Sequence, residues 1–279
     1  MTKPAWVALL VVLLGSALLA ASCGNDDGTD GSQDKASATT PDPSLTGEIT
    51  VLAASSLTEA LEDVGKQFEA AHPGARVRFS FAASSALATQ IEEGGPGDLF
   101  ASADQAQVDR LQRDIHVGPS DVFARNEPVV VVPKGSSTVV SFEDLAKGGV
   151  RLVLAGPEVP IGKYARQVLE NASAPGGIDA AFSQRVLDNV RSEESNVRAV
   201  LAKVQLGEAD AGIVYATDVA AAGGEVERID IPPQFNVVAE YPVAISAHAV
   251  NKPLAAAFVE FLLSDKGQEV MEAHGFKGK

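Results

Sequence analysis

The stretch Ile49-Thr50-Val51-Leu52-Ala53-Ala54-Ser55-Ser56-Leu57-Thr58-Glu59-Ala60-Leu61 decides the fold. Ile49 to Ala53 is a short apolar, β-branched run of the length of a buried strand. Ser56 stands where a helix should begin, and Leu57, Ala60, Leu61, Val64 and Phe68 recur behind it at helical spacing. Glu59, three residues after Ser56, completes a capping-box pattern. A strand that runs straight into a helix N-terminus leaves backbone N–H groups unpaired at the end of a sheet. The helix dipole points the same way, so such a spot attracts anions. Taken alone, the plainer reading is that Ser56 only caps its helix.

A second stretch repeats the arrangement. Arg76-Val77-Arg78-Phe79-Ser80-Phe81 alternates, which predicts a strand with Val77, Phe79 and Phe81 on one face. Ala82-Ala83-Ser84-Ser85-Ala86-Leu87 follows at once, with Leu87 and Ile91 marking another helix. In an open α/β sheet, strand-to-helix junctions gather at the carboxyl edge, where ligands bind. Two neighbouring junctions rich in small hydroxyl residues can offer hydroxyls and backbone N–H groups to one small anion.

At these residues the chain resembles the periplasmic molybdate-binding proteins, the solute receptors of molybdate ABC transporters. The matching pieces are Val51 to Leu57, Phe81 to Ser85 with Leu87-Ala88, Gly97 to Asp104, Pro157 to Gly162 with Tyr164-Ala165, Gly212 to Tyr215, and Glu240 to Ala244. Six pieces in the family's order make a specific match covering the chain beyond its N-terminal segment. The resemblance implies an α/β, two-lobed, type II periplasmic-binding-protein fold, with the ligand cleft between lobes joined by two crossings. It implies an extracytoplasmic receptor that delivers molybdate, and tungstate with it, to an ABC transporter permease, with no cofactor.

The N-terminus reads Met1-Thr2-Lys3-Pro4, then an apolar run from Ala5 to Ala21, then Cys23. A basic start, a short apolar core and small residues before one cysteine make a lipoprotein signal peptide. Its lipobox, Ala20-Ala21-Ser22-Cys23, lacks the usual Leu three residues before the cysteine. Cleavage near there by ordinary signal peptidase is the competing reading. A lipid on Cys23 would anchor the protein at the outer face of the cell membrane, and residues 24–46, rich in Asp, Gly, Ser, Thr and Pro, would be a tether. Cys23 is the only cysteine, so the folded part holds no disulfide, cysteine metal site or catalytic cysteine.

The remaining chain is predicted to form two lobes, residues 47–127 with 241–279, and residues 128–240. Alternating strands and helices in the first lobe imply a parallel sheet. Asp104 is placed to cap a helix carrying Val108 and Leu111. Glu127-Pro128-Val129-Val130-Val131-Val132-Pro133 suits a crossing between lobes, and Phe235 to Ile245 a return. Receptors of this shape trap ligand by hinge closure and need free lobes, so a monomer is expected.

Charge narrows the partners. With 37 acidic against 22 basic residues, a net charge of −15 argues against nucleic acid. It argues little against a small anion, because remote charge is screened over about 8–10 Å while local donors act at contact.

Carried over residue by residue, the resemblance assigns the oxyanion to the hydroxyls of Ser56, Ser84 and Tyr215 and the backbone N–H groups of Ile161 and Val197, with Ser55 and Ser85 as alternative neighbours. Ile161 stands where the family often has Ala, and Asn196 stands where an acidic residue is common. Tyr215, ending an apolar strand, also reads simply as a core residue. Molybdate is a fully deprotonated tetrahedral dianion that accepts hydrogen bonds and donates none, and hydroxyls and backbone N–H groups are donors. A carboxylate in contact with it would be repelled. Hydrogen phosphate would lack an acceptor, a loss of about 1–3 kcal/mol. Sulfate differs mainly in size and is the alternative ligand.

Enzymes are the competing class. No Gly-x-Ser-x-Gly, His-Glu-x-x-His or P-loop pattern is present. His72, His116, His248 and His274 are scattered and read as surface residues. Asp98, Asp104 and Glu158 read as caps and turn residues rather than metal ligands. A two-lobed hydrolase or transferase is the second reading, and its porphobilinogen-deaminase type requires a cysteine that the folded part lacks. A receptor feeding signalling or adhesion is the third.

Overall fold

The computed structural model describes residues 45–279. The predicted signal peptide, the lipid on Cys23 and nearly all of the predicted tether lie outside the described residues. In chain order the elements are β1 (Gly47–Ala54), a 3-10 turn (Ser55–Leu57), α1 (Thr58–Ala71), β2 (Ala75–Ala82), α2 (Ser84–Glu92), β3 (Leu99–Ala101), α3 (Gln105–Arg113) and β4 (Val117–Asn126). Then come β5 (Pro128–Pro133), a second 3-10 turn (Glu143–Ala146), β6 (Leu152–Ala155), α4 (Pro160–Ser173), α5 (Phe182–Asp188), β7 (Val190–Glu194) and α6 (Val197–Gln205). β8 (Ala211–Tyr215), α7 (Ala216–Ala221), β9 (Val226–Ile229), β10 (Ala239–Ser246), α8 (Lys252–Leu263) and α9 (Asp265–Ala273) complete the described chain.

Two five-stranded sheets result, ordered β2-β1-β3-β10-β4 and β7-β6-β8-β5-β9. Each is the floor of one lobe. The chain leaves the first sheet at Asn126, enters the second at Pro128, and is back in the first by Ala239. The expected parallel sheet is corrected to a mixed one. β1 runs parallel to β2 and β3, but β10 is antiparallel to both β3 and β4. In the second sheet β5 is antiparallel to β8 and β9. The reversals fall on the strands that carry the chain between lobes, a constraint that local strand–helix alternation does not encode.

β1 shows why the opening stretch folds as it does. From Val51 to Ala54 every residue is buried, because helices cover both faces of its sheet. Leu52 and Phe100 pack on one face with Leu87, Ile91, Val108 and Leu111 of α2 and α3. Val51 and Ala53 face the other way, in one cluster with Leu61, Val64 and Phe68 of α1 and Leu254, Phe258 and Leu262 of α8. Each such large apolar side chain contributes about 1.5–3 kcal/mol by leaving water. Asp98 ties the layer together, its carboxylate accepting from the N–H groups of Thr50 at 2.8 Å and Val250 at 2.7 Å.

The C-terminal tail returns to the crossing. Arg125 and Lys277 exchange backbone hydrogen bonds of 2.8 and 2.9 Å. Lys277 Nζ lies 2.6 Å from Glu127 Oε2, and Arg228 Nη2 lies 3.0 Å from Glu127 Oε1. These two cations, Lys277 foremost, hold the Glu127 carboxyl below its usual pKa.

Candidate functional site

Four helix starts converge on one place. The turn at Ser55 follows β1, α2 follows β2, α4 follows β6 and α6 follows β7. The first turn of any helix has N–H groups with no partner inside the helix. Pro160 fits the first position of α4, where its missing N–H costs nothing, and leaves Ile161 as the first free donor. Asn196 caps α6 by accepting from Ala199 N at 3.0 Å, which leaves the N–H of Val197 beside it. Among the described residues neither Ile161 N–H nor Val197 N–H has an acceptor. Gly162 sits so close under the end of β6 that an added Cβ would lie 2.0 Å from Gly156 O and 2.5 Å from Ala155 O.

Ser56, Ser84, Ile161, Val197 and Tyr215 all line a single cavity between the lobes, and Ser55 lines it too. Ser85 does not. The five are 1–4 % exposed, so the lobes are closed over the space between them. That space is about 10 Å³ for the centre of a water-sized sphere, about the room one water needs and far too little for a drug-sized guest. No carboxylate, ammonium or guanidinium lines it, and neither does any histidine. Its polar side chains are all hydroxyls, those of Ser55, Ser56, Ser84 and Tyr215.

Each hydroxyl is set differently. Ser56 does not make the predicted capping box: α1 begins at Thr58 without a side-chain cap. The Ser56 hydroxyl instead lies 3.1 Å from the hydroxyl of Tyr241, and Glu59 turns to Arg198 in the other lobe. Ser84 Oγ accepts from Ala103 N–H at 3.0 Å, which leaves its hydrogen free to donate. Tyr215, at the end of β8, is buried, and among the described residues its hydroxyl has no hydrogen-bond partner. A buried unpaired hydroxyl is costly, and one facing a cavity is suited to a guest that accepts. Burial raises the Tyr215 pKa well above its ordinary value, so the phenol is a donor at any physiological pH.

Charge stands one layer back. Arg198, the residue after Val197, donates through Nε to Ser55 O at 3.2 Å and through Nη2 to the Glu59 carboxylate. Its Nε also lies 3.2 Å from Oδ1 of Asp218, a carboxyl that burial raises to about 6. On the opposite flank Lys163 Nζ is 3.6 Å from Asp104 Oδ2. Asp104 caps α3 as predicted, accepting from Gln107 N at 3.2 Å, and its pKa is raised by burial. From sequence, Tyr241 reads as part of a returning strand and of a family-matching piece but not as a partner of Ser56, and the Arg198 network escaped sequence reasoning. Among the described residues no group of three or more His, Cys, Asp or Glu could hold a metal ion. No described helix is long and apolar enough to cross a membrane.

Comparison with known proteins follows the same line. The family model for bacterial extracellular solute-binding proteins matches residues 49–277. The molybdate-binding protein ModA of Mycobacterium tuberculosis (strain H37Rv) is 37 % identical over 230 residues, covering 82 % of this chain and 84 % of that protein. Among solved structures, a substrate-binding domain assigned to a molybdenum ABC transporter of Clostridium difficile is 30 % identical with a TM-score of 0.62, covering 83 % of this chain and 99 % of that one. The sulfate-binding protein SubI of Mycobacterium tuberculosis H37Rv has a TM-score of 0.76 at 22 % identity, covering 83 % of this chain and 86 % of that one, and shows a shared fold. The chain therefore belongs to the bacterial extracellular solute-binding protein family, alongside the molybdate-binding proteins.

Proposed function

We propose that this protein is an extracytoplasmic receptor that binds molybdate between its lobes and delivers it to the permease of an ABC transporter. The observation that carries this reading is the cavity whose polar side chains are all hydroxyls, above all the buried Tyr215 hydroxyl, which has no partner among the described residues. A dianion that accepts from every side completes such a wall, and helix N-termini around it favour negative charge. Relatives at 37 % identity that are molybdate-binding proteins support the choice of ion.

In this reading Ser56 and Ser84 donate from the first lobe, and Ile161 N–H, Val197 N–H and Tyr215 donate from the second. The ligand thus bridges the lobes, and closure is driven by bonds that neither lobe completes alone. Tungstate, with the same charge and shape, is bound as well. The protein works as a monomer and as a binding protein rather than an enzyme. Cys23 carries the lipid that keeps it at the outer face of the membrane.

The test is thermal unfolding with molybdate, tungstate, sulfate or phosphate added. A ligand at a thousand times its Kd adds ~4 kcal/mol of apparent stability, a shift of several degrees. A shift with molybdate and tungstate alone is expected. A shift with sulfate alone would move the assignment to sulfate, and no shift with any of the four would end the oxyanion reading.

A further inference from the structure

Tyr241 lies outside the wall of the cavity, yet its hydroxyl is 3.1 Å from Ser56 Oγ. Both residues are buried, Tyr241 at 0 % and Ser56 at 3 % exposure, so water does not compete for the bond. Two hydroxyls in contact leave open which one donates. Burial closes the question.

Among the described residues Ser56 Oγ is the one hydrogen-bond partner of the Tyr241 hydroxyl. Were Ser56 the donor, the phenol's own hydrogen would be buried without an acceptor, at a cost of about 1–3 kcal/mol. The phenol therefore gives its hydrogen to Ser56 Oγ. Ser56 then accepts from Tyr241, and its own hydrogen points elsewhere. The cavity is the place open to it. Ser84 reaches the same state by another route, since Ala103 N–H occupies its oxygen.

We propose that Tyr241 is a positioning residue for ligand selectivity: by donating to Ser56 Oγ it commits the Ser56 hydroxyl to donate into the cavity. This rests on the reading of the cavity as an oxyanion site. A serine free to rotate can donate to one ligand oxygen or accept from a ligand O–H. A committed serine can only donate, so it accepts a fully deprotonated oxyanion and leaves the hydrogen of hydrogen phosphate without a partner. The bond from Tyr241 to Ser56 thus discriminates by protonation rather than by size.

The test is a double-mutant cycle with Ser56→Ala, Tyr241→Phe and the double variant. Molybdate affinity is read by calorimetry, and hydrogen phosphate is read by competition. Phe keeps the ring and its edge-on packing against Tyr215, Phe123 and Phe276. The unliganded melting temperature should therefore fall only by the few degrees that one buried hydrogen bond is worth. Tyr241→Phe should weaken molybdate about tenfold, the loss of one buried hydrogen bond. Its molybdate-to-phosphate preference should narrow, because the freed serine can now accept. In the Ser56→Ala background, Tyr241→Phe should change molybdate affinity by less than about twofold, because the residue it acts through is gone. A purely structural role predicts multiplied effects in the double variant and no change in preference, and either result overturns the proposal. Unaltered affinity in Tyr241→Phe also overturns it while leaving the receptor reading intact. An unmodified protein that binds none of the tetrahedral oxyanions sinks both.

Discussion

Arg198 and Glu59 form an ion pair across the cleft, joining the first turn of α6 in one lobe to α1 in the other. Arg198 follows Val197 directly, so the residue proposed to donate to the ligand and the residue that clasps the facing lobe move as one. Side chains in this pair are 27 % and 44 % exposed, which limits the pair to about 1 kcal/mol or less. Glu59→Gln is therefore expected to raise the ligand dissociation rate by about two- to fivefold. The association rate should change less. Stopped-flow displacement at low and high salt measures both. A dissociation rate that is unchanged at low salt would show that the clasp does not hold the closed form.

Tyr215→Phe separates binding from folding. The hydroxyl has no partner among the described residues, so its removal costs no hydrogen bond there. Unliganded stability is expected to stay within about 1 kcal/mol of the unmodified protein or to rise. Molybdate affinity is expected to fall about tenfold or more. Melting curves with and without ligand check the pair of signs, and equal losses in both would reduce Tyr215 to a core residue.

Gly162→Ala addresses the backbone donors. A methyl group there would meet two carbonyl oxygens at 2.0 and 2.5 Å, so the start of α4 must shift and carry Ile161 N–H with it. A loss of about 1–3 kcal/mol in stability is expected, with weaker binding alongside. Gly148→Ala serves as the control, since nothing lies within 4 Å of its added Cβ. Chemical unfolding of the two variants side by side tells whether the close approach matters.

Asp218 gives a pH signature with a definite sign. Burial raises its carboxyl from 3.8 to about 6, with Arg198 pulling the other way. The folded state thus holds the proton more tightly than the unfolded state does. The ionised group opposes folding above pH 6, and the penalty is relieved as pH falls toward 4. Asp218→Asn lacks this dependence. The stability of the unmodified protein relative to Asp218→Asn should therefore increase by about 1–3 kcal/mol between pH 7 and 4.5. Denaturant titrations at several pH values measure the difference, and a flat difference would place the titration elsewhere.

Much of this arrangement is readable in the chain because it is local. The strand–helix junctions at Ser56 and Ser84, the Asp104 cap and the strand ending at Tyr215 follow from periodicity and capping within a dozen residues. The partners of those residues do not. Tyr241 lies 185 residues from Ser56, and Arg198 lies 139 residues from Glu59. Ser56 followed by Glu59 has the pattern of a capping box, yet both side chains are claimed by these remote groups instead. Helix α5 and strands β4, β7 and β9 escaped notice because none carries a clean period. β7, Val-Arg-Ser-Glu-Glu, is an edge strand with no apolar alternation to mark it. Tertiary pairing makes it a strand, not propensity.

The strapping of the tail to the crossing has a practical side. Lys277 and Gly278 are held to Arg125 and Glu127, where the chain passes from one lobe to the other. This segment thus rides on the first lobe, beside the point where the chain crosses to the second. A small fluorophore there would report the position of the second lobe relative to the first. A bulky group at the same point would crowd the contacts with Arg125 and Glu127 and strain the crossing.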